Sequence, residues 1–117
     1  QHAGVKAILD DQAESKTMME DFKRRRDFFV SGLNEIPGIS CKMPDGAFYA
    51  FPNVSGVDMS AEDLSDHLLD TAGVATLPGS AFGSHASKHL RMCFANSMED
   101  LEKGLDRIAG ALAKLRK

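Results

Sequence analysis

Apolar residues recur at mostly helical intervals over the first third of the chain. Between residues 5 and 34 there is no proline, and the spacing of the large apolar side chains predicts one long helix or two joined helices. A helix of about thirty residues exceeds those of most compact domains, so part of it is expected to extend toward a neighbouring domain. Pro37 and Gly38 end the helical pattern. The apolar residues that define it are Ile8, Leu9, Met19, Phe22, Phe29 and Leu33.

Residues 37–117 carry a pattern of short strands separated by helices. Strands are expected over residues 39–42, 47–51, 74–77 and 88–95. The run over residues 47–51 is apolar on both faces, which predicts a strand buried within a sheet.

Two capping patterns predict where the later helices begin. Ser60 precedes Asp63 by three residues at the start of a helix that ends at Gly73, and Ser97 precedes Asp100 in the same way at the start of the last helix. The expected fold class is α+β, with a small mixed sheet covered by helices on one side and preceded by a long interdomain helix. The apolar faces consist of Leu64, Leu68 and Leu69 in the first of these helices and Leu101, Leu105, Ile108, Leu112 and Leu115 in the second.

Length and composition are those of one ordinary globular domain. The chain has 117 residues, of which 43% are hydrophobic and 26% charged, and this excludes disordered and collagen-like classes. A net charge of -3 gives no reason to expect nucleic acid or an anionic membrane as a partner. The basic run over residues 23–26 is spread around a helix and flanked by acids, which favours a solvated face. Without a membrane-spanning run or an apolar leader, we expect the cytoplasm.

Residue types that often carry chemistry mostly lack a recognised motif here. Cys41 and Cys93 lie far apart in apolar contexts, so we interpret them as reduced core thiols without a disulfide or zinc site. No histidine has a partner at metal-ligand or acid-base spacing, and no serine lies in a nucleophile motif, so neither a metal site nor hydrolase chemistry is expected. These residues are His2, His67, His85, His89, Ser80, Ser84 and Ser87.

Arg91 is the polar outlier of the last predicted strand. Strand alternation sends its neighbours Leu90 and Met92 to one face and leaves Arg91 with Cys93 on the other. A guanidinium is costly to bury unless an anion meets it, and its planar fork fits a carboxylate through two parallel hydrogen bonds. The strand pattern leaves three roles open: an internal salt bridge, an edge position, or the binding of an anionic ligand.

The loop over residues 78–84 contains two glycines that would let its backbone approach a ligand. It lacks the Gly-Lys-Ser/Thr ending of a nucleotide P-loop, so it is a poor match for a phosphate cradle. Taken alone, the loop is more typical of a plain connection than of a site.

Four blocks of sequence together resemble class I and II aminotransferases of the aspartate aminotransferase type. They cover residues 22–39, 44–52, 73–83 and 90–95 and occur in the order and spacing of that family. The most specific parts are Gly-Ala-Phe-Tyr, Pro-Gly-x-x-Phe-Gly and the Leu-Arg strand that follows them. The resemblance extends over nearly the whole chain.

This resemblance implies roles for particular residues. Arg91 matches the family arginine that binds the substrate α-carboxylate. Gly46 and the loop containing Pro78, Gly79 and Phe82 are expected near the active site, where two domains meet. Residues 1–36 would form the helix that links the domains, and residues 37–117 the sheet-and-helix core of the C-terminal small domain.

The resemblance also implies pyridoxal phosphate as the cofactor of the intact enzyme. In the family a lysine holds it as a Schiff base and an aspartate meets its pyridine nitrogen, and both belong to a large domain that is absent from this chain. Lys6 and Lys88 lie in nothing like that lysine's motif. The chain alone is therefore expected to bind no cofactor and to be inactive.

The intact enzyme is expected to be a homodimer that moves an amino group between an amino acid and a 2-oxo acid. Two alternatives stay open from the sequence. One is a lyase or synthase of the same fold that also uses pyridoxal phosphate, and the other is a stand-alone binding module without catalysis.

Overall fold

The N-terminal part of the chain forms two joined helices. A computed structural model describes residues 1–115, in which α1 spans His2–Leu9 and α2 spans Ala13–Glu35. Gln12 adopts a left-handed backbone conformation with φ of 61°, which breaks the helical path between them. Of the two sequence-based alternatives, two joined helices is therefore the correct one.

Only the C-terminal half of α2 enters the core. Its buried residues are Phe29, Val30 and Leu33, whereas α1 buries none of its side chains. Met18 and Met19, in the first half of α2, are 57% and 64% exposed. The helix thus continues well beyond the core against which it packs, as its length predicts.

The core itself combines α3, Ala61–Ala72, and α4, Met98–Leu115, with a three-stranded sheet. The strands are β1, Tyr49–Ala50, β2, Leu77–Pro78, and β3, Leu90–Cys93. Their order is β1-β3-β2, so β3 is central. The predicted α+β class is confirmed.

Both strand pairings are antiparallel, which corrects the mixed sheet expected from the sequence. The connection between β2 and β3 folds into two short 3-10 turns that reverse the chain direction, without the crossover that a parallel pair needs. The strands are also shorter than predicted. Residues 39–42 form only an isolated bridge, between Ser40 and Asn53.

The helices cover one face of the sheet, as predicted. Four side chains on that face are buried together with side chains from α2, α3 and α4. They are Ala50, Leu90, Met92 and Phe94. The opposite face carries Arg91 and is left uncovered by the α-helices, so that its residues Leu77 and Cys93 are exposed. Strand alternation in β3 therefore separates its apolar and polar residues as predicted.

The prediction that residues 47–51 are buried on both faces is wrong. Ala50 is buried, but Phe48 and Phe51 are 41% and 38% exposed. Phe51 lies on the uncovered face of the sheet, whereas Phe48 precedes the edge strand β1 and stacks on Phe22 of α2.

Capping hydrogen bonds fix the starts of α3 and α4 where the sequence predicts them. Ser60 Oγ accepts a hydrogen bond from the Asp63 amide, and Ser97 Oγ accepts one from the Asp100 amide, each at 3.1 Å. Gly73 ends α3 in the left-handed conformation with φ of 63°.

Three side chains that the sequence assigns to the core are exposed. Leu69 is 53% exposed because it lies at the margin of the buried face of α3, and Leu115, the last residue of α4, is 38% exposed. Cys93 lies on the uncovered face of β3, whereas Cys41 is buried, and both thiols are free. The interpretation of Cys93 as a core thiol is therefore wrong.

Within residues 1–115, no helix is both long and apolar enough to cross a bilayer.

Candidate functional site around Arg91

Arg91 lies at the centre of the uncovered sheet face, where two aromatic rings meet it. Its Cζ lies 4.4 Å from the centroid of the Tyr49 ring and 4.3 Å from that of Phe82, over both rings. In the β1–β3 register Tyr49 is opposite Cys93, so it is a diagonal neighbour of Arg91 on the same face. Phe82 arrives from the other side, from the turn after β2. The two rings thus come from elements on opposite sides of β3.

The N–H donors of the Arg91 side chain are free for a ligand. Within the described residues its guanidinium makes neither a salt bridge nor a side-chain hydrogen bond. The residue is half-buried, and its strand is central in the sheet. Within the described residues, Arg91 therefore has neither an internal salt bridge nor an edge position, which were two of the three roles that the strand pattern left open.

Gly79 allows the loop after β2 to fold tightly. A Cβ at this position would lie 2.2 Å from the Ala86 carbonyl oxygen and 2.8 Å from that of His89. The Gly79 amide donates a 2.7 Å hydrogen bond to the His89 carbonyl. This close approach sets the path from Pro78, in β2, to Phe82 and so brings the Phe82 ring to Arg91.

A side-chain contact also ties this loop to α3. The Ser80 hydroxyl donates a hydrogen bond to Glu62 Oε1 in the first turn of the helix. That bond stabilises the charged carboxylate and lowers the pKa of Glu62 below its ordinary value of 4.5. The contact therefore contributes stability above that pH, and the contribution is lost as the pH falls through the lowered, folded-state pKa.

We expect the pKa of Glu62, followed by NMR titration of the side-chain carboxyl, to rise toward 4.5 in a Ser80→Ala variant, because the variant removes the donor. Ser84→Ala, in the same loop, is the matched control and should leave the Glu62 pKa unchanged. An identical Glu62 titration in the parent and Ser80→Ala proteins would show that the contact does not form in solution.

Gly46 lies three residues before Tyr49, in the segment leading into β1. It borders an open groove of about 700 Å³ between α2 and the residues leading into β1, lined by Met18, Met19, Phe22 and Phe48 among others. A Cβ on Gly46 would meet nothing within 4 Å in the described chain. The structure thus brings Pro78, Gly79 and Phe82 into one neighbourhood with Arg91 but gives Gly46 no contact there.

Tyr49 is the site residue that the sequence does not single out. It belongs to the Gly-Ala-Phe-Tyr block, and its tyrosine ring gives it an apolar body with a polar tip. Its place beside Arg91 follows from the pairing of β1 with β3, which joins residues more than forty positions apart. A sequence pattern that specifies faces but not register does not reveal this neighbour.

None of the lysines described in residues 1–115 is buried. Every described lysine is exposed, so none is enclosed as an imine-forming lysine needs to be. Nor do residues 1–115 contain a group of three metal-ligating side chains. The arrangement can bind an anion at Arg91, and the exposed Cys93 thiol lies on the same face of β3.

Comparisons with known proteins agree with these features. The aminotransferase class I and II family matches residues 1–108. An aspartate aminotransferase of Pyrococcus horikoshii is 40% identical over 114 residues, a match that covers 96% of this chain and 29% of that protein. The chain therefore belongs to the class I and II aminotransferase family, and the resemblance seen in the sequence is confirmed.

Solved structures show the same backbone arrangement. The aspartate aminotransferase of Rhizobium meliloti superimposes with a TM-score of 0.88 at 40% identity, over 95% of this chain and 30% of that one. Alanine aminotransferase from Pyrococcus furiosus gives a TM-score of 0.91 at 34% identity, over 96% and 29%. The chain thus spans about 29% of the length of the relatives it matches.

Proposed function

We propose that this chain is the C-terminal small domain of a pyridoxal-phosphate-dependent aminotransferase and that Arg91 binds the α-carboxylate of its substrate. The proposal divides residues 1–117 into a linking helix, 1–36, and a sheet-and-helix core, 37–117. The observation that carries it is the half-buried Arg91 on an uncovered sheet face, with its donors unpaired within the described chain. Family membership and the 29% coverage support it.

The chemistry of Arg91 suits this role. A guanidinium presents parallel N–H donors that match the two oxygens of a carboxylate, and a charge-assisted pair of this kind fixes direction as well as distance. Every α-amino acid and every 2-oxo acid carries such a carboxylate next to its reacting carbon. Holding it at Arg91 would set the orientation of that carbon, a contribution of several kcal/mol when geometry is well defined.

The proposal assigns the cofactor to the rest of the intact enzyme. Pyridoxal phosphate would supply the electron sink for amino transfer. We assign it to the large domain, because no lysine of this chain is enclosed in the described structure. Gly46 and the loop of Pro78, Gly79 and Phe82 would lie near the active site where the domains meet. The proposal also includes a homodimeric parent enzyme in the cytoplasm, in keeping with the family resemblance.

The test compares the full-length protein containing this chain with the 117-residue chain alone. Each is supplied with pyridoxal phosphate, a panel of amino acids and a 2-oxo acid acceptor. We expect the full-length protein to form the new amino acid and the new 2-oxo acid in equal amounts, and the chain alone to form neither.

Other outcomes have distinct meanings. Loss of the amino acid without amino transfer to the acceptor would favour a lyase or synthase of the same fold. Transfer by the 117-residue chain alone would contradict the assignment of the cofactor to the missing part. No reaction and no carboxylate binding by the full-length protein would favour a module without catalysis.

A further inference from the structure

We propose that Tyr49 and Phe82 act as positioning residues that hold the Arg91 guanidinium in place for the substrate carboxylate. This inference rests on the proposed function of Arg91 and assigns roles to the two rings that meet it. The centroids of both rings lie within 4.5 Å of Arg91 Cζ, one reached from β1 and the other from the turn after β2. Within the described chain, Tyr49 and Phe82 are the only aromatic rings that lie against the Arg91 guanidinium.

The choice of aromatic partners has a chemical consequence. A carboxylate partner from the protein would stabilise the guanidinium but would also occupy the donors that a substrate needs. An aromatic face attracts the cation through its quadrupole and accepts no conventional hydrogen bond from its N–H groups. The rings can therefore stabilise the charge before substrate arrives while leaving the donors available.

Both rings are themselves held by neighbours. Phe51 packs edge-on to Phe82 with centroids 6.4 Å apart, and His89 stacks on Phe51 at 5.2 Å. The His89 carbonyl accepts the hydrogen bond from Gly79 that shapes the loop of Phe82. Tyr49 is fixed by the β1–β3 ladder. Phe82, Phe51 and His89 thus form a row of rings that connects the loop after β2 to the strand face that carries Arg91.

Holding Arg91 in one conformation is expected to favour carboxylate binding. A free arginine side chain has many rotamers, and the ordering of such a side chain on binding opposes affinity. If the rings remove this cost in advance, their loss weakens substrate and transition-state binding alike. The signature of that effect is a higher KM with little change in kcat.

The experiment uses the full-length protein with Tyr49→Leu and Phe82→Leu variants, which keep apolar bulk but remove the ring. We expect each variant to raise the KM for amino acids and the Kd for propionate, measured by calorimetry, by about tenfold, with kcat changed by less than about twofold. Tyr49→Phe, which keeps the ring, is expected to recover most of the lost affinity. Phe28→Leu removes a ring of similar exposure on α2, away from the contacts of Arg91, and is the matched control.

Unchanged propionate affinity in both leucine variants, with circular dichroism like that of the parent, would overturn the positioning role. Phe82 is 49% exposed, so Phe82→Leu can decide the question if Tyr49→Leu fails to fold. The two proposals can fail separately. If the full-length protein transfers no amino group but the leucine variants bind propionate more weakly than the parent, the proposed function alone is refuted. If amino transfer is normal and the leucine variants bind propionate as the parent does, the positioning role alone is refuted. A full-length protein that neither transfers an amino group nor binds propionate refutes both.

Discussion

Replacing Arg91 with alanine in the full-length enzyme is expected to lower kcat/KM for amino acids by about 100- to 10,000-fold. In the proposed role of Arg91, the variant removes two charge-assisted hydrogen bonds to the carboxylate, each worth about 1.5–3 kcal/mol, and about 1.4 kcal/mol corresponds to a factor of ten in rate. Steady-state kinetics with several amino acids measures the loss. Cofactor absorbance should match that of the parent enzyme, since the proposal locates the cofactor outside this chain.

Two further variants make this test specific. Arg91→Lys keeps the charge but not the planar fork, so its kcat/KM should fall between those of the parent and Arg91→Ala. Arg107→Ala removes an exposed arginine on α4 and should have little effect. Near-parental kinetics for Arg91→Ala would exclude Arg91 as the carboxylate-binding residue.

A Gly79→Ala substitution is expected to destabilise the chain by about 3 kcal/mol, the upper part of the usual range for overpacking. The added Cβ would lie 2.2 Å from the Ala86 carbonyl oxygen, so the backbone between β2 and β3 has to move. That movement should break the hydrogen bond from Gly79 to His89 and shift Phe82 away from Arg91. Denaturant unfolding of the 117-residue chain measures the free-energy change.

Gly110→Ala is the matched control for this substitution. Gly110 lies within α4, is exposed, and a Cβ there meets nothing within 4 Å. Alanine should therefore stabilise the chain by about 0.5–1 kcal/mol, since glycine is the poorer helix former. Equal stability of the Gly79→Ala and parent chains would mean that the loop relaxes around the added methyl group without cost.

The helices could be predicted from the sequence because their signals are local. The Ser60 and Ser97 caps and the Gly73 end depend on residues within one or two turns, and each lies where the pattern predicts it. The face on which Arg91 lies could also be predicted, because alternation along one strand determines it.

The sheet and the neighbours of Arg91 depend on contacts between distant segments. The lengths of the strands, their antiparallel order and the diagonal placement of Tyr49 are set by pairing across the chain, which alternation alone does not determine. The exposure of Phe51 has the same origin, since an apolar strand pattern does not reveal whether both faces of a sheet are covered. Arg91 and Phe82 could thus be singled out from the sequence, but the placement of Tyr49 beside Arg91 could not.

The length of α2 has a geometric consequence for the position of Arg91. Its 23 residues span about 35 Å at 1.5 Å per residue, and only its C-terminal half is packed into the core. A rotation of the core by about 5° about the far end of this helix moves its packed end by about 3 Å, roughly the length of one hydrogen bond. Displacements of about 1 Å at a reacting centre can change rates a hundredfold. The angle at which α2 is held therefore contributes to the placement of Arg91, in addition to the contacts made by the guanidinium itself.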